Sequence, residues 1–591
     1  SFKLNASSGD VRLGEHARVD VAGRAVQFFD VTKPSWGGAA EFVSDSGNVD
    51  FASGARVDVS AAAGGDAGSL IVHAANGTFT LADDSVSGDA QADAAGKRGE
   101  GARVGIDSGT LVSFSSLNTA LNNGGFDGER VLRVRNGDVS VAADDVSRSR
   151  LIKIVADNGT LDVAGELDAS ATDAGRIELF AGNDVNLLAT AQLKAQSSGV
   201  NQDGGDIEIG STQGSLDLAF GSAIHLSGGA DGQGGTLQLR AARTPDDVKI
   251  AALDGSISGA RAVSVEAVKT YSNINTLNSG STQSGSTLGL GAVTADNAAF
   301  AANHATIKTR LGRPDIQLLS GVEVRSTGDL TLGADWNLAS ARAGGEAGVL
   351  TLRADGNLKL NNNLSDGFSV ATPLSGTAPA TLLNDESWSY RLIAGADSVA
   401  ADPLAVKPGS DGANDVTLAA DKLVRTGTGD IRVASGNDIK FGDNKAAIYT
   451  AGRLADPLSG FATPTGPSGA VNFAQFSRDG GDVVLAARGD ISSASRSQQL
   501  YSNWLFRQGR LNDEGTAYSV QPAWWVRFDQ FQQGVGALGG GNVALLAGGK
   551  VENVSASAPT QARMASPTTD ASALVKSGGG VVWVETLGDV L

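Results

Sequence analysis

This sequence predicts an all-β solenoid, a coil of short strands stacked turn upon turn, and three observations carry the prediction. A unit of glycine turn, alternating strand, small-residue step and second glycine turn recurs along the chain, as in Gly480 to Ile491, GGDVVLAARGDI. Its corners return at a near-regular spacing. Composition stays uniform over 591 residues, a length that ordinarily splits into several globular domains. Eight residues from one strand start to the next suit a strand of about five plus a tight turn, because strands alternate faces with period 2 and glycine supplies the positive φ of sharp corners.

Taken in order, the first element is a direct repeat. SGDVRLGEHARVDV from Ser8 to Val21 aligns without gaps onto SGNVDFASGARVDV from Ser46 to Val59, 38 residues on, and NGTLDVAGELDAS from Asn158 to Ser170 follows the same order. Next, the corner glycines Gly137, Gly159, Gly182, Gly205, Gly235 and Gly255 are spaced mostly near 22 residues. Such a period built of short strands predicts coils of three strands and three corners, about 20 to 25 of them, in a rod on the order of 100 Å long. The unit returns in AGVLTLRADGNL from Ala347 to Leu358, GGNVALLAGGKV from Gly540 to Val551 and GGVVWVETLGDV from Gly579 to Val590. Alternation turns Ile207, Ile209, Leu350, Leu352, Val483 and Leu485 inward and Glu208, Gln238 and Arg353 toward water. Helical periodicity is hard to find.

The reading divides the chain into β-helix repeats over 1–364 and a continuation over 365–591 with three side excursions. These are 365–408 around Trp388 and Tyr390, 456–476 with Pro457, Pro464 and Pro467, and 501–531, which concentrates Trp504, Phe506, Trp524, Trp525, Phe528 and Phe531. Excursions are where a solenoid keeps its specificity.

A formal charge of -19 argues against a nucleic-acid partner, since phosphate binding needs a Lys/Arg surface. Absence of cysteine excludes disulfides and thiol chemistry but not secretion. No run of about 18 apolar residues predicts a membrane-spanning helix. The pattern is already running at Ser1 and stops just after a corner, so continuation of the polypeptide or head-to-tail stacking into filaments is expected.

With these residues in hand, the chain resembles the filamentous haemagglutinin family of large exoproteins of Gram-negative bacteria. GARVDVSAAAGGDAGSLIVHA from Gly54 to Ala74 carries the repeat. SWSYRLIAGADSVAADPLAV (Ser387 to Val406), RTGTGDIRVASGNDIKF (Arg425 to Phe441), AAIYTAGR (Ala446 to Arg453) and AWWVRFDQFQQGVGALGGGNV (Ala523 to Val543) resemble a C-terminal module of those exoproteins over about 390–560. The resemblance implies a right-handed parallel β-helix, secreted or at the cell surface, exported through an outer-membrane partner and serving adhesion, aggregation or biofilm. It implies a surface glycan or protein receptor and no catalytic residue, cofactor or metal. The Asn-Pro signature of the family's secretion module has no counterpart here.

Two groups are candidate surface contacts. Arg488-Gly489-Asp490 spells the tripeptide that integrins recognise, yet Gly-Asp corners before an apolar residue recur at Gly137, Gly328, Gly429 and Gly588, so a plain turn explains it as well. Trp504, Trp524 and Trp525, with Arg527 and Arg507 able to stack or pair, form either a platform for sugar rings or partners, or a side element packed on the coil. GGADGQGG from Gly228 to Gly235 is a single calcium-loop-like turn or a flexible corner. A β-helical polysaccharide enzyme is the competing class, with Asp83-Asp84, Asp144-Asp145 and Asp246-Asp247 as its carboxylates; the four histidines are scattered and match no metal spacing. A stalk delivering a toxin or haem-binding cargo is a further alternative.

Overall fold

A computed structural model describes residues 1–590 apart from 343, 370–373, 376–377, 380, 411, 456–473, 496–503, 517, 532–533 and 566–572. Most of the expected excursion at 456–476, and the start of that at 501–531, lie outside the described residues. The chain forms two compact units, one of Ser1–Ala267, Ala305–Leu318 and Val399–Asp402, the other of Val268–His304, Leu319–Ser398 and Pro403–Leu591. Each is a parallel β-helix.

In the first unit, three parallel ladders run side by side. The first joins Phe2–Ala6, Ala39–Ser44, Ser69–Leu81, Arg103–Leu111, Glu129–Asn136, Leu151–Asn158, Arg176–Ala181, Asp206–Ser211 and Thr236–Ala242. The second and third are made of three-residue strands, such as Leu161–Val163, Val185–Leu187 and Leu216–Leu218, or Glu166–Asp168, Gln192–Lys194 and Ala223–His225. The direct repeat is one coil: Val11 pairs with Val49 and Arg18 with Arg56, at the 38-residue offset of the sequence. Period-2 alternation then stacks like on like, with Ile177, Ile207 and Leu237 in one inward row and Leu179, Ile209 and Leu239 in another, all buried. Each such side chain contributes roughly 1.5–3 kcal/mol of apolar burial. Near the start the inward row is aromatic, with Phe42 edge-on to Phe51 at 4.8 Å and Phe51 to Phe79 at 5.5 Å.

The corners explain the glycines. A Cβ on Gly159 would lie 1.9 Å from the carbonyl oxygen of Gly137, and one on Gly235 would lie 1.9 Å from that of Gly205. Stacked corners therefore leave room only for hydrogen.

The second unit repeats the plan. Its first ladder runs from Ser320–Ser326 through Gly348–Ala354, Ser389–Ala394, Ile431–Ser435, Val483–Ala487 and Val543–Ala547 to Val582–Thr586. Beside it run a second ladder containing Leu358–Leu360, Val416–Leu418, Ile439–Phe441 and Ile491–Ser492, and a third containing Leu423–Thr426, Ala447–Thr450 and Gly534–Ala537. Leu350, Leu352, Val483 and Leu485 are buried inside. One corner carries a continuous row of hydrogen bonds between coils. Asp329 Oδ1 accepts the Asn357 N–H at 2.8 Å, Asn357 Oδ1 that of Asp415 at 2.8 Å, Asp415 Oδ1 that of Asp438 at 3.0 Å, Asp438 Oδ1 that of Asp490 at 2.7 Å, and Asp490 Oδ1 that of Lys550 at 2.9 Å. Short side-chain acceptors thus satisfy turn amides that no strand partner reaches.

Several expectations are corrected. Coils are longer than a 22-residue period implies: that spacing holds from Glu129 to Leu151, but Phe2 pairs with Ala40, and Val483 with Val543, 60 residues on. Corners absorb insertions, so 591 residues make fewer coils than 20 to 25. The expected excursion at 365–408 is interrupted by Ser389–Ala394, a ladder strand, with Trp388 and Tyr390 buried in the core. Glu208 and Arg353 are buried rather than facing water, because each has a partner: Arg176 binds Glu208 at 3.3 Å, and Arg353 donates to the Asp397 carbonyl at 2.6 Å. In the first unit, Val399–Asp402 covers part of the ladder's outer face: Ala401 packs with Val155 and Phe180, and Lys153 lies 2.6 Å from Asp402 and 2.9 Å from Glu178. Burial alone would lower the Lys153 pKa, but these two carboxylates hold its ammonium charged.

Helices also occur among the described residues. Phe114–Asn123 is capped by Ser113, whose side chain accepts the Ser116 N–H at 3.2 Å, and buries Phe114, Leu117, Ala120 and Leu121. Leu290–Ala301 and His304–Arg310 are the others.

Candidate functional site

The second unit carries a four-stranded antiparallel side sheet, Leu505–Leu511, Tyr518–Val526, Thr560–Met564 and Leu574–Gly578. Alternation along Tyr518–Val526 sorts the tryptophans. Trp525 is buried, stacked on Phe506 at 5.9 Å, in a cluster with Phe476 and Ala523; the Arg563 guanidinium lies 4.9 Å over the Phe476 ring. Its neighbour Trp524 points the other way and is half-exposed, donating Nε1–H to Thr560 Oγ1 at 3.2 Å.

Trp504 is buried in a chain of edge-on rings, 5.0 Å from Phe531, which is 5.1 Å from Tyr449, itself 6.1 Å from Phe368. Beneath them the fully buried Arg425 lies 3.9 Å over the Phe368 ring and donates to Ser365 Oγ at 3.0 Å and to Tyr449 Oη at 3.2 Å. Burial pushes the Tyr449 hydroxyl above its ordinary pKa against the pull of Arg425. Arg527 is buried too, in a two-pronged pair with Asp529 at 2.9 Å on each arm. Of the aromatic group singled out in the sequence, then, Trp504, Trp525 and Arg527 are packing elements of the side sheet, and Trp524 alone of the four reaches the surface.

Cross-strand pairing places Trp524 in a row with Arg507, named beside the ring cluster in the sequence, and with Lys576, which was not. Arg507 pairs with Trp524, Trp524 with Ala562, and Ala562 with Lys576. Arg507 and Lys576 are exposed, and neither has an ion-pair partner among the described residues. The row crosses all four strands, with Arg507 directly beside Trp524 and the buried Ala562 between Trp524 and Lys576, in a chain whose net charge is -19. The strands lie about 4.8 Å apart, so the row spans roughly 14 Å.

The Arg488-Gly489-Asp490 tripeptide occupies a rung of the corner row. The Asp490 N–H donates to Asp438, its carboxylate accepts from Lys550, and a Cβ on Gly489 would lie 2.2 Å from Asp438 Oδ1. Only Arg488 is exposed.

The paired aspartates serve corners and ion pairs. Asp145 accepts from the Ala142 N–H at 2.8 Å and from Ser115 at 2.7 Å, and Asp247 pairs with Arg310 at 2.7 Å. Asp83 and Asp84 are exposed. Among the described residues no group of three or more His, Asp or Glu side chains is arranged to hold a metal ion, the Gly228 to Gly235 turn included. An apolar cleft under the Phe114–Asn123 helix is lined by Val104, Ile106, Leu117 and Ile154 and closed by Arg130, which donates to the Phe126 carbonyl at 2.7 Å and to Asn118 at 2.9 Å. Burial lowers the Arg130 pKa to about 10.

Compared with family models, curated proteins and solved structures, the chain matches none. Among the described residues no helix is long and apolar enough to cross a membrane. The row through Trp524 is the candidate contact site on its own chemistry: a π-face stacks on apolar sugar faces or rings, and the guanidinium and ammonium of the row select partners carrying negative charge.

Proposed function

We propose that the chain is a cell-surface or secreted scaffold of adhesion, in which stacked coils give stiffness and the side sheet makes contact with a surface glycan or protein receptor. The single observation behind this reading is the row across the side sheet in which the half-exposed Trp524 lies beside Arg507 and, across Ala562, in line with Lys576, two exposed cations with no ion-pair partner among the described residues. The resemblance to filamentous haemagglutinin-like exoproteins points the same way, to a structural and adhesive role with export through an outer-membrane partner and aggregation or biofilm as its outcome. Head-to-tail association of copies into filaments belongs to the same proposal. An array of surface glycans and a panel of bacterial and epithelial cells, probed with the wild-type chain and with Arg507→Ala/Trp524→Ala/Lys576→Ala, tests it. The wild type is expected to bind at least one class, with the triple variant at least tenfold weaker; equal binding by the two would remove the row from the mechanism.

A further inference from the structure

The densest exposed apolar cluster in the first unit is a hairpin that the contact site leaves unused. Between Arg18–Asp20 and Ala39–Ser44 the chain leaves the coil as Ala25–Phe28 paired antiparallel with Val31–Pro34, closed by Phe29 and Asp30. Its base is anchored: the Gly23 N–H donates to the Ser60 carbonyl at 2.8 Å, the Gly37 N–H to that of Asp66 at 2.9 Å, and the Arg24 N–H to Ser35 Oγ at 2.8 Å.

The register makes it two-faced. Phe28 pairs with Val31 and Val26 with Lys33, so Val26, Phe28, Val31 and Lys33 share one face, while the Gln27–Thr32 pair takes the other. Every residue of both strands is exposed, Phe28 at 57%. Phe29, fully exposed, sits at φ 52°, a conformation bulky aromatics rarely adopt, and Trp36 at the base is 76% exposed. At the tip, Gln27 Nε2–H donates to the Phe29 carbonyl at 2.7 Å and the Thr32 hydroxyl donates to Gln27 Oε1.

We propose that this hairpin is a lipid-contacting element, whose apolar face lies in the interface of a bilayer. Three arguments select lipid over protein. A protein interface takes roughly 20–30 residues a side, and this is a ten-residue projection. At the tip the Phe29 carbonyl already accepts from Gln27, so this backbone group needs no partner from outside the hairpin. Asp20, Arg24, Asp30 and Lys33 sum to zero charge, so attraction by a charged partner is not the driving force. Asp30 in the turn holds the tip at headgroup depth, and Lys33 reaches back toward the phosphates.

Flotation with phosphatidylcholine vesicles in 0.1 M and 0.5 M NaCl tests the proposal on the full chain. The wild type is expected to float equally at both salts, Phe28→Ser/Phe29→Ser to lose at least tenfold, and Phe220→Ser, at an exposed phenylalanine elsewhere, to behave as wild type. Circular dichroism checks that the coils persist; should the double variant disturb them, Val26→Gln/Val31→Gln replaces it with the same expected loss. A wild type that stays with the unbound fraction, a double variant that floats like wild type, or flotation abolished by 0.5 M salt overturns the proposal. So does self-association that Phe28→Ser/Phe29→Ser dissolves while vesicles go unbound, which makes the hairpin a contact between copies.

Discussion

Replacing Asp438 with alanine removes one rung from the corner row, and the structure fixes what is lost. Asp438 Oδ1 is the acceptor for the Asp490 N–H at 2.7 Å, and its other oxygen lies 3.0 Å from Lys440. Leaving a turn amide without its charged acceptor costs about 1.5–3 kcal/mol. Lys440 keeps Asp415 at 2.7 Å and is substantially exposed, so the ion-pair share is about 1 kcal/mol or less. At ~1.4 kcal/mol per factor of ten, a loss of about 2 kcal/mol raises local opening at residue 490 roughly 30-fold. Hydrogen exchange of the peptide spanning Gly489 to Ile491, followed by mass spectrometry, reads this directly. Asp438→Asn supplies the internal control, because the row already uses an asparagine at Asn357 and the amide oxygen still accepts. It is expected to exchange within about threefold of wild type. If the alanine variant exchanges like wild type, or the asparagine variant is as fast as the alanine one, the corner is not held by side-chain acceptors and the reasoning fails.

Two further expectations concern the tripeptide and acid stability. Gly489→Ala forces a Cβ against Asp438 Oδ1 and should destabilise by about 1–3 kcal/mol, while Arg488→Ala leaves melting temperature and cell attachment unchanged; attachment lost with Arg488→Ala alone would make the tripeptide a receptor motif rather than a turn. Burial raises the Asp107 pKa, but two hydrogen bonds and the charge of Arg135, with Arg133 and His73 adding to them, carry it below the ordinary 3.8. A depressed folded-state pKa gives stability that is present above 3.8 and lost as pH falls through the folded value, so the acid limb of a melting-temperature profile is expected to flatten in Asp107→Asn; an unchanged limb would contradict the pairing.

What the sequence discloses is local and periodic. The 38-residue repeat is a coil because equal strands separated by equal corners must stack in register, and Ile207, Ile209, Val483 and Leu485 are inward because alternation has no other solution for them. Alternation names a face but not what later covers it, so the burial of Glu208 against Arg176 and of Arg353 against Asp397 was not legible. The same limit applied at the aromatic cluster: Trp524 and Trp525 are adjacent and chemically identical, and only the pairing of Phe506 with Trp525 tells the packed ring from the open one. Arg507 was legible beside the rings, but Lys576 was missed because it comes into line with Trp524 across strands rather than along the chain. A signal for the Phe114–Asn123 helix did exist, in Ser113 followed by Phe114, Leu117 and Leu121 at helical spacing, but three turns are easily overlooked among strands.

The central claim, that the side sheet makes contact through its outward row while its other rings only pack, is tested most directly by titrating one bound glycan or receptor class against Trp524→Ala and Trp525→Ala side by side, with thermal unfolding of each. The account predicts that Trp524→Ala weakens binding at least tenfold with the melting temperature of wild type, whereas Trp525→Ala lowers stability by about 3–5 kcal/mol. Trp524→Ala binding at full strength, with Trp525→Ala losing binding yet melting like wild type, would contradict it.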